Sequence, residues 1–125
     1  MKEIESREDI KLLVDSFYKQ ARQDSLIQHF FNEVSDINWD AHMPTMYDFW
    51  ESVLLDNPVY KGNPMTKHIA LDAKSRMDTL HFNRWEELFI TTLEHLFNGE
   101  KVDLAKKRVT DIKRLMQYKV EQARP

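Results

Sequence analysis

The apolar positions of this 125-residue chain recur at helical spacing along nearly its whole length. Ile10, Leu13, Val14, Phe17 and Ala21 fall at offsets 0, 3, 4, 7 and 11, the buried stripe of an amphipathic helix predicted over residues 6–22. Ser6, with Asp9 three residues on, supplies a capping box for its start. Tyr18 sits beside the stripe, so its ring can be buried with the hydroxyl aimed inward. A short segment over residues 26–34 carries Phe30 and Phe31. A second long helix is predicted over 38–55, with Met43, Met46, Tyr47, Trp50, Val53 and Leu54 on one face. Pro44 is tolerable there only in the first turn or as a kink. A further helix over 82–97 gathers Phe82, Trp85, Phe89, Leu93 and Leu96, with Gly99 as its stop. The last runs over 103–123 with Ala105, Val109, Ile112, Met116 and Val120 inward. Strand-type alternation is scarce and glycine occurs only at positions 62 and 99, so the fold class is all-α.

One region breaks this regularity. Residues 56–78 contain Asn57-Pro58 and Gly62-Asn63-Pro64, which punctuate loops. Asn63 can cap a short helix with Pro64 at its first position, placing His68 just over one turn inside. An irregular stretch this long exceeds what packing alone usually requires, which implies that something orders it.

Length indicates one domain, residues 1–125. A hydrophobic fraction of 42% against 31% charged residues marks a globular chain with a real core. Cysteine is absent, which excludes disulfides, thiolate metal sites, iron–sulfur clusters and cysteine nucleophiles. A net charge of -3 exerts no general pull on nucleic acid. The basic residues Lys101, Lys106, Lys107, Arg108, Lys113, Arg114 and Lys119 read as the wet face of the last helix. With no signal-peptide-like or membrane-spanning apolar run, a soluble cytoplasmic protein is expected, monomeric or weakly dimeric.

Most catalytic signatures are missing. Asp78-x-x-His81 has no matching partner for a di-iron bundle, no His-Glu-x-x-His occurs, and two isolated glycines make no phosphate cradle. His29, His81 and His95 read as surface or cap residues. His42 and His68 remain: one starts an apolar helical face, and the other follows an excursion that can fold back beneath it. Two histidines facing each other across an apolar pocket would grip an iron porphyrin. Tyr18, Phe31, Met46 and Trp85 come from separate helices and can converge on the same space.

The ordered run Phe17-Tyr18, Phe30-Phe31-Asn32, Trp39-Asp40-Ala41-His42, Phe49-Trp50, Tyr60-x-Gly62-x-Pro64-x-x-Lys67-His68 and Trp85 resembles the group III truncated haemoglobins over roughly residues 8–120. The resemblance implies a two-over-two helical sandwich around haem b (iron protoporphyrin IX), with the irregular region ordered largely by the cofactor. It casts His68 as the proximal iron ligand, and Tyr18, His42 and Trp85 as the distal groups, His42 controlling ligand access. It places Phe31 against the porphyrin, with Met46, Phe49 and Trp50 along the pocket and Tyr60 and Lys67 near the propionates. Pro44, two residues after His42, is a departure that bears on the pose of that histidine. The implied function is reversible binding of oxygen or nitric oxide. The alternatives are a haem enzyme for nitric oxide dioxygenation or peroxide chemistry, which needs an outside reductase, and a helical interaction module without haem.

Overall fold

A computed structural model describes residues 1–125. Five α-helices follow in order: α1 (Arg7–Ala21), α2 (Trp39–Leu54), α3 (Pro64–Lys74), α4 (Thr79–Leu96) and α5 (Glu100–Gln122). A π-helical turn at Phe30–Val34 lies between α1 and α2. The fold is all-α, the only extended pairing being an isolated bridge between Lys2 and Phe97. Helix α1 packs on α2 and α4, α4 packs on α5, and α3 lies along α5 and the π-helical turn.

The predicted stripe of α1 is wholly buried, and Ser6 and Asp9 form the expected capping box. In α2, Asn38 accepts from the Ala41 N–H at 3.4 Å and so caps the first turn. Pro44 lies in the second turn of that helix, where its missing N–H leaves the Asp40 carbonyl without its usual helical donor. Glu51, flanking the apolar face of α2, is buried because Arg7 Nη1 (3.1 Å) and Asn57 Nδ2 (2.6 Å) both bind its carboxylate. That pairing ties the loop after α2 back to α1.

The structure corrects three boundaries. Helix α4 starts at Thr79 rather than 82, and its first turn is held by His81 Nδ1, which accepts from the Asp78 N–H at 3.0 Å. Gly99 does not stop α4. The chain turns extended at Phe97 to meet Lys2, with the Asn98 N–H on the Lys2 carbonyl at 3.0 Å. Gly99 instead opens α5 at φ 122°, a left-handed backbone that suits glycine, and a Cβ there would lie 2.3 Å from the Glu3 carboxylate. That carboxylate accepts from the Lys101 N–H at 3.1 Å, so α5 starts three residues before the predicted 103. The short helix expected inside the irregular region is α3, which starts at Pro64 and runs for 11 residues.

Helix α3 is the lightly anchored element. None of its residues is fully buried. Asn63 caps it through the N–H groups of Met65 and Thr66 at 3.1 and 3.2 Å, with Pro64 at the first turn. At its far end Asp72 takes a two-pronged bond from Arg124 (2.9 and 3.1 Å) and the Met77 N–H at 2.7 Å. The Arg124 hydrogen bond is the main reason the Asp72 carboxyl titrates below its ordinary value. A carboxyl depressed on folding contributes stability above its unfolded pKa near ~4 and loses it as pH falls through the folded value. Asp72→Asn should therefore speed amide exchange across α3 at neutral pH, and wild-type protein should reach the same exchange only in acid below the ordinary aspartate range. Equal exchange at neutral pH in the two proteins would remove the clamp from the account.

Candidate functional site

A cavity of about 520 Å3 opens between α1, α2, α3 and α4. It lies within the roughly 300–1,000 Å3 typical of cofactor and ligand pockets. Of its 29 lining residues 20 are hydrophobic, which makes a low-dielectric interior. Tyr18, Phe31, His42, Met46, Phe49, Trp50, Tyr60, Lys67, His68 and Trp85 all line it, so the structure brings together every residue singled out from sequence.

Helix α1 contributes Tyr18. The stripe residue Phe17 is buried next to it, and the two rings meet edge to face at 5.2 Å. Enclosure of the hydroxyl raises the phenol pKa far above its ordinary value, so Tyr18 stays a neutral donor at any physiological pH. Helix α2 contributes His42 one turn from its start, and His42 Nε2 lies 3.1 Å from the Tyr18 hydroxyl. That contact turns the His42 ring inward despite Pro44. Desolvation, then the positive charge of Lys67 and the proximity of His68, lowers the His42 pKa, so its ring is neutral at pH 7.

Helix α3 contributes His68. Its Nδ1 is 2.6 Å from the Pro64 carbonyl, four residues back on the same helix. A carbonyl only accepts, so Nδ1 carries the proton and donates, leaving the Nε2 lone pair bare. No protein group bonds to that nitrogen. Desolvation lowers the His68 pKa, partly offset by the Pro64 bond, so the neutral form prevails. Helix α4 contributes Trp85, which packs edge-on against Phe17 at 6.3 Å and beside Phe89 at 6.0 Å. Its indole N–H has no protein acceptor.

The remaining residues shape the pocket. Trp50 is buried, stacked between Phe49 at 5.2 Å and Phe89 at 4.6 Å, and forms a rigid wall. Tyr60 lies on Phe49 at 5.1 Å. Its backbone N–H is fixed to Ser52 Oγ at 2.9 Å, so the loop after α2 is pinned where the ring meets the cavity. Lys67 is exposed beside His68.

Leu71, Ile112 and Met116 also line the cavity. The stripe of the last helix predicted inward positions for Ile112 and Met116, but helical periodicity does not separate a pocket wall from a packed core. His81 lines it too, alongside its capping role, and its ring meets Phe30 at 5.1 Å and His29 at 5.8 Å. His29 is half-buried, while His95 is exposed in the last turn of α4. Among the basic residues of α5, Lys113 is not simply wet. It bridges to Glu86 and Asn83 on α4, at 3.1 Å each. No cluster of three or more His, Cys, Asp or Glu side chains could hold a bare metal ion. No helix is long and apolar enough to cross a membrane.

The chain matches no protein-family model. It is 31% identical over 98 residues to a group 3 truncated haemoglobin of Campylobacter jejuni, covering 76% of this chain and 75% of that protein. Its structure is similar to the crystal structure of a group III truncated haemoglobin from Campylobacter jejuni, with a TM-score of 0.81 and 28% identity over 96% of this chain and 95% of that one. Level of identity, coverage and shared all-α architecture agree, and the chain belongs to the group III truncated haemoglobins.

Proposed function

We propose that the cavity holds haem b, that His68 is its proximal iron ligand, and that the protein binds a diatomic gas, oxygen or nitric oxide, reversibly beside Tyr18, His42 and Trp85. The observation that carries this reading is the bare Nε2 of His68 inside an apolar cavity. Its tautomer is already set by Pro64, which is the arrangement a ligating imidazole needs.

The residues present fit the group. A flat apolar macrocycle needs apolar walls, and Phe31, Met46, Phe49 and Trp50 supply them. Its acidic edge suits Lys67 and the Tyr60 hydroxyl, a cation and a donor at the same cavity. Haem held through His68 would supply an iron able to take up a small diatomic ligand.

The rest of the mechanism belongs to the chain. Apolar walls exclude water, which strengthens every hydrogen bond inside. Tyr18 and Trp85 hold donors toward the ligand space, the indole being a donor only. In the tautomer that carries its proton on Nε2, His42 donates to the Tyr18 oxygen, and the phenolic proton is free to point at a ligand. The depressed His42 pKa keeps a second positive charge out of the pocket at neutral pH. Two donors on one ligand favour slow release, which suits retention or sensing better than rapid exchange.

The test is the absorption spectrum of the reduced, hemin-reconstituted protein with and without carbon monoxide. The expected result is a Soret band that shifts sharply on adding the gas. A compact, colourless protein that takes up no hemin would overturn the proposal.

A further inference from the structure

A second depression, about 460 Å3, lies outside the cavity between the end of α1 and the start of α2. Lys19, Arg22, Gln23 and Asn32 give it a polar rim, and Tyr18 and Trp39 form part of its floor. Tyr18 also lines the inner cavity, so the two spaces share an aromatic wall. Trp39 completes that wall. It stands edge-on to Tyr18 at 5.6 Å and to His42 at 5.4 Å, touching both members of the hydrogen-bonded pair.

Arg22 holds Trp39 from the solvent side. Its guanidinium carbon lies 4.1 Å from the Trp39 ring centroid, a close cation–π contact. Arg22 forms no ion pair, so this ring is the partner of its charge. Its base is fixed as well, because Arg22 caps α1 and its carbonyl accepts from Asn32 Nδ2 at 3.0 Å. Trp39 is the first residue of α2, where a side chain swings with little disturbance to the helix behind it.

We propose that Arg22 and Trp39 form a latch: a positioning pair that holds the Tyr18–His42 wall shut and sets how often a small gas passes from the outer cleft into the cavity. The latch rests on the function proposed above. A solvent-facing cation–π contact biases the closed state by roughly two- to fivefold. Passage scales with the open population, so releasing the latch raises access by the same factor.

Two measurements on Arg22→Gln and Arg22→Lys test this. The first is the bimolecular rate of carbon monoxide rebinding after flash photolysis of hemin-reconstituted protein. The second is 19F NMR of the 5-fluorotryptophan-labelled chain without haem, with the Trp39 line assigned through Trp39→Phe. Arg22→Gln should raise the association rate roughly two- to fivefold and move the Trp39 line while the Trp50 and Trp85 lines stay in place. Arg22→Lys, which keeps a cation over the ring, should change both readouts less. An unchanged association rate in Arg22→Gln, or equal effects of the two substitutions, would overturn the latch. If the chain takes up no haem, the functional reading fails on its own. The fluorine spectrum still decides the latch, since a Trp39 line indifferent to Arg22→Gln overturns it.

Discussion

His68→Ala should lower hemin affinity by on the order of 100-fold or more, since disturbing only the partners of a metal-bound histidine commonly costs 10–100-fold. His68 is half-buried and its area faces the cavity, so its truncation leaves the core cluster of the fold untouched. Helical content should stay at the wild-type level. Apolar contacts with Phe31, Phe49 and Trp50 remain and should sustain weak, spectrally altered binding. Added imidazole should diffuse into the space left by the ring and restore part of the wild-type spectrum. Titration with hemin, followed at the Soret band alongside circular dichroism, gives both answers at once. Undiminished affinity in a folded variant would remove His68 as the axial ligand.

Tyr18→Phe should accelerate oxygen dissociation by about 10- to 100-fold. A hydrogen bond to a charged acceptor contributes about 1.5–3 kcal/mol, and about 1.4 kcal/mol is a decade in rate. The substitution keeps the ring and its edge-to-face contacts with Phe17, Phe31, Trp39 and His42, so the change isolates the hydroxyl. It also releases His42 Nε2 from its partner. Stopped-flow displacement of oxygen by carbon monoxide reads the rate directly. An off-rate equal to that of the wild type would mean that the ligand takes its hydrogen bond elsewhere, with Trp85 the remaining donor.

Much of the architecture was legible because helical periodicity and local capping point the same way. Ile10 to Ala21 read as a stripe and are buried as one, and Ser6 and Asn63 cap the helices they precede. The errors fall where a long-range partner sets the boundary. Nothing near Gly99 in the chain reveals that Glu3 waits to cap α5, or that Lys2 draws Phe97 into an extended bridge. The burial of Glu51 was not legible for the same reason, since it depends on Arg7, 44 residues away. The candidate site owed more to the family resemblance than to pattern. Periodicity located His42 and His68 near helix starts, but only the ordered run of motifs tied them to Tyr18 and Trp85. His81 caps a helix as expected, but its place on the cavity wall stayed hidden, because a histidine that only caps and one that also borders a cavity look alike in sequence.

Helix α3, tethered at its ends and without a fully buried residue, has a thermodynamic corollary. The segment that carries His68 draws little cohesion from the rest of the core, so occupancy of the neighbouring cavity and the order of this segment are linked equilibria. A ligand at 100 times its dissociation constant adds about 2.7 kcal/mol to the folded state. Cells short of porphyrin would then hold a polypeptide whose middle opens far more readily than its ends, exposing residues 55–78 to proteases first.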